Sequence, residues 1–236
     1  AVFLIFQDRI FVAIWLFIGF VAVPMLANEY MFRAIFIPVI IMALAAIGLN
    51  LLVGYCGQVS LGSGAFMAVG AYAAYNFMIR VPELNPLICF LLGGLSATAV
   101  GVIFGIPSLR IKGFYLAVAT LALQFFTDWT FSRIDWFTNY TPSGSIAVQP
   151  VEVWGFTFDS PLRKYMLCLS ALVLFTIIGK NLVRGRIGRA WMATRDMDVA
   201  AEIIGIRPIY AKLSAFAVSS FFIGVAGALW AYVHLG

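Results

Sequence analysis

The sequence predicts an all-α protein, a polytopic transmembrane helix bundle with about seven membrane segments. Three observations predict it. First, 63% of the 236 residues are hydrophobic, only 11% are charged, and the mean hydropathy is +1.01. A soluble domain carries about 25% charged residues, so this chain lacks the polar groups to cover a water-facing surface. Second, the apolar residues come in continuous runs rather than in alternation. That excludes spanning β-strands and fits helices of roughly 20 residues across a hydrocarbon core about 30 Å thick. Third, the basic residues gather in a few loops between the runs.

The runs lie at about 10–27, 34–55, 62–79, 87–106, 114–127, 165–183 and 211–235. The fifth is short for a span, and Trp129 and Phe131 can lengthen it. No soluble stretch interrupts the series, so residues 1–236 read as a single membrane domain. No signal peptide stands out. The chain begins at Ala1 without Met and stops at Gly236 inside an apolar run, which leads us to expect further spans beyond the C-terminal end.

Loop charge orients the segments. Lys180, Arg184, Arg186, Arg189, Arg195, Arg207 and Lys212 place seven of the fifteen Lys and Arg residues in one short loop. Cytoplasmic loops collect such charge, so the loop 184–210 is expected to be cytoplasmic. Counting back by parity puts 128–164 outside, with Asp128, Asp135, Glu152 and Asp159. It puts 107–113 inside, with Arg110 and Lys112, and Arg9 inside as well. Only Arg80, in the outside loop 80–86, goes against the rule. In the long outside loop, Trp129, Trp136 and Trp154 suit the headgroup level, and a pair of short strands or a surface helix fits there. Residues 54–64 read either as a cytoplasmic turn or as a helix break within membrane depth, and a break requires a cavity or protein around it.

The side chains exclude several chemistries. His234 is the lone histidine, no paired ionisable residues lie inside a run, and no phosphate-binding Gly-rich loop or nucleophile elbow occurs. An intramembrane enzyme is disfavoured, a proton relay lacks its usual intramembrane charges, and no nucleic acid partner is implied by a net charge of +5 confined to loops. No metal or cofactor is expected. Cys56, Cys89 and Cys168 stand far apart without metal spacing and read as buried free thiols.

Two regions stand out. In the string 48–66, Asn50, Gly57, Gln58, Ser60, Gly62 and Ser63 mix neutral polar groups with glycines. Such groups can line a path for a polar solute without burying charge, or they can serve close helix packing and a turn. Thr120 and Gln124, four apart, share a helix face and carry the same two readings. The second region is the basic loop. Residues 189–204 lack Gly and Pro and predict a short helix beginning after Gly188 and ending at Gly205. Met192, Val199, Ala200, Ile203 and Ile204 fall on one side of it, and Arg195, Asp198 and Glu202 on another. Such a helix lies on the membrane interface or inserts into a groove on a partner.

The pattern Gly-Arg-Ala-Trp-x-Ala-x-Arg-Asp-x-x-x-Ala-Ala-x-x-x-Gly at 188–205 resembles the cytoplasmic loop of high-affinity branched-chain amino acid ABC permeases of the LivM type. Gly48-Leu-Asn-Leu-Leu-Val-Gly-Tyr-x-Gly-Gln-Val-Ser-Leu-Gly62 and Leu109-Arg-Ile-Lys-Gly-Phe-Tyr-Leu-Ala-Val-Ala-Thr-Leu-Ala-Leu123 resemble two further blocks of that family, in its order and spacing. The resemblance implies a permease subunit of the bacterial inner membrane. Its implied partners are a second, LivH-type permease, two ABC ATPase subunits that use the ATP, a periplasmic solute-binding protein and membrane lipid. It implies that the 189–204 helix is a coupling helix, with Gly188, Arg189, Arg195, Asp196, Ala200, Ala201 and Gly205 serving ATPase coupling. Val199 stands where many ABC importers carry Glu. The block Thr138-Asn-Tyr-Thr-Pro-Ser-Gly144 departs from the Thr-Gly-Gly-x-x-Gly of relatives, which leaves the solute open among branched-chain amino acids, urea, short amides and aromatic acids. From the residues alone, the competing reading is an ATP-independent secondary transporter or channel, which usually shows intramembrane carboxylates and an inverted repeat.

Overall fold

Inside lipid nothing but the chain itself can satisfy backbone N–H and C=O groups, so apolar runs fold as helices. The computed structural model describes residues 16–81, 83–108, 114–140, 152–153, 156–157 and 160–235. The expectations placed on Arg9, Arg110, Lys112, Trp154, Asp159 and residues 141–144 lie outside them. Helix α1 covers residues 18–26, followed by α2 (Glu29–Tyr55), α3 (Ser63–Arg80), α4 (Pro86–Ser108) and α5 (Phe114–Arg133). A minimal antiparallel pair, β1 (Glu152–Val153) and β2 (Phe156–Thr157), joins Glu152 to Thr157 and Val153 to Phe156. Helix α6 (Pro161–Arg184) leads into two short helices, α7 (Arg186–Asp196) and α8 (Asp198–Ile203), and α9 (Pro208–Leu235) closes the chain.

Four helices among the described residues are long and apolar enough to cross a membrane: α2, α4 up to Ile106, α6 and α9 up to His234. The other segments of the expected seven fall short of that length and apolarity among the described residues. Helix α3 is diluted by Gly64, Gly70, Tyr72, Tyr75 and Asn76, and α5 by Thr120, Gln124, Thr127 and Asp128. Helix α1 is described only in part.

Helix α9 is the central pillar. Two-thirds of its most apolar window is buried, against 17% for α6. Small residues let its neighbours reach its backbone. Gly70 of α3 abuts the backbone of Gly224, and Gly227 abuts that of Met67. Gly48 brings α2 against Phe222 and Ile223. Helices α3 and α5 run side by side in one direction. Gly64 meets Gln124, the Tyr72 ring stacks on Phe131 at 4.2 Å, and Asn76 Nδ2 donates to Phe137 O at 3.1 Å. The three cysteines are buried free thiols.

At the end of the bundle opposite the basic loop, Arg80 explains its own anomaly. Its guanidinium lies 3.5 Å from the Trp136 ring centroid and donates to Trp136 O at 3.0 Å. The cation is used to close the end of α5 onto α3. Trp129 and Trp136 are exposed there, as interfacial indoles should be.

Candidate functional site

Two regions flagged by their residue types meet at the basic end of the bundle. The first is the turn 56–62. The last turn of α2, Leu51–Tyr55, is π-helical, a widened form common at functional sites. Its end is closed by Gly57 N donating to Val53 O and Gln58 N to Leu52 O, each at 3.2 Å. Gly57 has φ +71°, and a Cβ there would lie 2.7 Å from Arg195 Cγ. Residues 56–62 thus form a tight, glycine-dependent connection between α2 and α3.

The turn is held by α5. Leu61 N donates to Thr120 Oγ1, and Thr120 Oγ1 donates to Ala117 O, both at 2.9 Å. A Cβ on Gly62 would sit 2.6 Å from Thr120 O, so only glycine admits this approach. Gln58 and Ser60 are each 6% exposed. Ser60 Oγ accepts from Gly62 N at 3.4 Å, whereas Gln58 Oε1 has no partner among the described residues. A buried amide oxygen without a partner costs free energy, so Gln58 is poised to accept a hydrogen bond when its surroundings rearrange. Ser63 is half-buried at the start of α3, and Gln124 lies beside Gly64.

The second region is the α7–α8 loop. Its helix starts earlier than the sequence predicted, at Arg186 after Gly185, and Gly188 is buried against the backbone of Val183. It also breaks at Met197, which is extended (φ −155°, ψ 103°). Met favours helix, so nothing local announced the break. The C-terminal stop falls at Gly205 as predicted. Gly205 has φ +86°, its N–H donates to Glu202 O, and Ile206 N donates to Ala201 O, both at 3.0 Å. That is a Schellman cap with glycine at C′.

Fully buried Trp191 pins α7 to α9, its Nε1 donating to Ser214 Oγ at 2.9 Å. Lys212 Nζ pairs with Asp198 Oδ2 at 2.6 Å and ties α8 to the start of α9. Ala201 is buried beneath α8. The break resets the helical phase, so Met192 turns partly inward. Met197, Val199, Ile203 and Ile204, 68–81% exposed, form an apolar cap with Ala200 on the outer face.

One side chain joins the two regions. Arg195 Nη1 donates to Gly54 O at 2.8 Å, and Asp196 Oδ1 holds the guanidinium from the other side, 2.9 Å from Nε. The carbonyl of Gly54 is one of those a helix C-terminus leaves without an internal partner. Cys56 lies buried under this junction. Burial pushes its thiol up to about 11, with Lys212 opposing and Asp198 reinforcing the shift.

The geometry thus brings together Gly57, Gln58, Ser60, Gly62, Ser63, Thr120 and Gln124, and attaches them to α7 through Arg195. It leaves Asn50 apart, exposed on the other side of α2, and Arg189 and Asp196 at the surface. The sequence marked Cys56 as a buried thiol but not its place under the junction, and it gave no sign of Ser214 or of the pairing of Lys212 with Asp198, because these contacts join separate helices. No group of three or more metal-ligating side chains occurs among the described residues.

A bundle of apolar helices with a neutral polar turn fastened to an amphipathic loop defines a multi-pass membrane protein. Residues 31–233 match the family described as branched-chain amino acid transport system / permease component, and the chain belongs to that family. Two similar proteins are the high-affinity branched-chain amino acid transport system permease proteins LivM of Escherichia coli (strain K12) and Salmonella typhimurium (strain LT2). Each is 31% identical over 212 residues, covering 78% of this chain and 48% of the relative. The chain therefore spans about half the length of these relatives. No solved structure gives a significant match.

Proposed function

We propose that this chain is one permease subunit of an ATP-driven importer of the bacterial inner membrane, carrying branched-chain amino acids or a related small polar solute. The transport function of the LivM relatives supports the solute class, and the basic loop supports a cytoplasmic placement of α7 and α8. In this reading α1, α3 and α5 also cross the membrane, giving seven segments, with α3 enclosed by α4, α5 and α9 and α5 turning Val118, Phe125 and Phe126 outward. The partners are a second LivH-type permease, two ATPase subunits and a periplasmic binding protein. This subunit hydrolyses nothing and needs no cofactor of its own.

The single observation that carries the reading is the apolar cap of Met197, Val199, Ala200, Ile203 and Ile204. A helical face so exposed, on a scaffold pinned by Trp191 and Lys212, fits a groove on a protein partner. Closure of an ATPase dimer would displace α7 and α8. Arg195 would pass that displacement to the turn 56–62, where Gln58, Ser60 and Thr120 face the solute path. Neutral amides and hydroxyls can hydrogen-bond a zwitterion without holding it tightly, which suits a subunit that receives its solute from a binding protein.

Ala200→Glu tests the reading in proteoliposomes holding the full-length subunit and its partners. Charge in the cap should lower ATPase stimulation and uptake together while membrane insertion stays normal. Undiminished uptake would remove the coupling role.

A further inference from the structure

The seating of Asn50 away from the turn draws notice to what it faces instead. Between the basic-end halves of α2 and α6 lies a cleft of about 360 Å³. Asn50 and Tyr55 line one wall, and Thr176, Lys180 and Arg184 the other. Gly179 and Ile47 form part of the floor, backed by Phe222 of α9. Lys180 and Arg184 are four residues apart, so they share a helix face. No acidic residue lines the cleft, and neither cation has an ion-pair partner among the described residues. Two like charges on adjacent turns repel, and an anion between them relieves the repulsion.

The surroundings say what kind of anion. Helix α6 is the most peripheral of the four spans. Along the cleft face of α6 from the cations come Thr176 and then half-buried Val173 and Leu172, and the lipid-ready flank beside it exposes Ile177. The surface is therefore cationic at the helix end and apolar toward the middle of the span. Lys and Arg at such an end sit where headgroup phosphates lie, and basic pockets between spanning helices bind anionic headgroups. We propose that the cleft binds the phosphate of one anionic phospholipid. Lys180 and Arg184 meet the phosphate oxygens. Tyr55 and Asn50 offer hydrogen-bond donors to the glycerol ester region, and the acyl chains leave along the groove between α2 and α6, past Ile47 and toward Val173. The lipid bridges the π-turn of α2, which Arg195 grips, to the end of α6, from which α7 departs after Gly185. It braces the two elements that the junction connects.

The test is native mass spectrometry of the full-length subunit, released from nanodiscs of phosphatidylglycerol mixed with phosphatidylcholine. One phosphatidylglycerol should be retained preferentially. Removing one cation should weaken retention about fivefold, and the pair Lys180→Gln and Arg184→Gln about twenty-fivefold. The charge-keeping pair Lys180→Arg and Arg184→Lys should retain the lipid, which separates loss of charge from loss of folding. Arg207→Gln, which removes a cation at the same end outside the cleft, should leave retention intact. Equal retention of phosphatidylcholine, or unchanged retention in the Gln pair, would overturn the proposal. So would displacement by excess inorganic phosphate, which would mark a free-phosphate site, or a partner permease held through Lys180 and Arg184.

Discussion

Cys56 shows how much a single residue reports at the junction. Its thiol is buried beneath the turn and the α7–α8 loop, and burial raises it to about 11. Only the thiolate attacks maleimides. A raised value keeps the group neutral at every pH below about 11, so at pH 7 about one thiol in ten thousand is ionised. Cys56 should stay unlabelled at neutral pH, with labelling climbing about tenfold per pH unit. Rapid labelling at pH 7 in the resting state would contradict the buried placement. Nothing in the sequence set Cys56 apart from Cys89 and Cys168, because the charges that act on it, Asp198 and Lys212, stand more than 140 positions away. Gly205 is the opposite case. A glycine just past a run of helix formers is a local signal, and its positive φ and cap follow from that signal directly.

At the scale of elements, boundaries set by lipid were legible and those set by packing were not. The apolar runs located α2, α4, α6 and α9, because only a helix satisfies the backbone in hydrocarbon. The 189–204 helix was placed in the right loop, but its start and its break were not read. Gly188 looked like a boundary, yet it lies inside α7, where the backbone of Val183 leaves no room for a side chain. Met197 looked helical, yet it is extended. What holds α7 in place is Trp191, buried by α9. Trp191→Ala should cost about 3–5 kcal/mol and orphan the Ser214 contact. The midpoint of thermal unfolding of the full-length subunit in detergent should drop clearly, and an unchanged midpoint would deny the pinning role. The set Gln58, Ser60, Thr120 and Gln124 was readable as polar groups among glycines. That Asn50 leaves this set for a cleft beside Lys180 follows from the roll of α2 against α6, which no local pattern encodes.

At the scale of the molecule, the bundle is built around α9, with α2, α3 and α4 packed close through small residues and α6 on the periphery. At the basic end α7, α8 and the turn 56–62 are tied together through Trp191, Lys212 and Arg195. The proposed coupling role requires this end to seat an ATPase on its apolar cap. The most direct measurement is purification of the full-length subunit from its native membrane, with identification of the proteins that come with it. The account predicts an ABC ATPase and a second permease in the wild type, with the ATPase alone lost from Val199→Asp combined with Ile203→Asp. Undiminished ATPase recovery in that variant, or a lone subunit that transports in ATP-free liposomes, would contradict it.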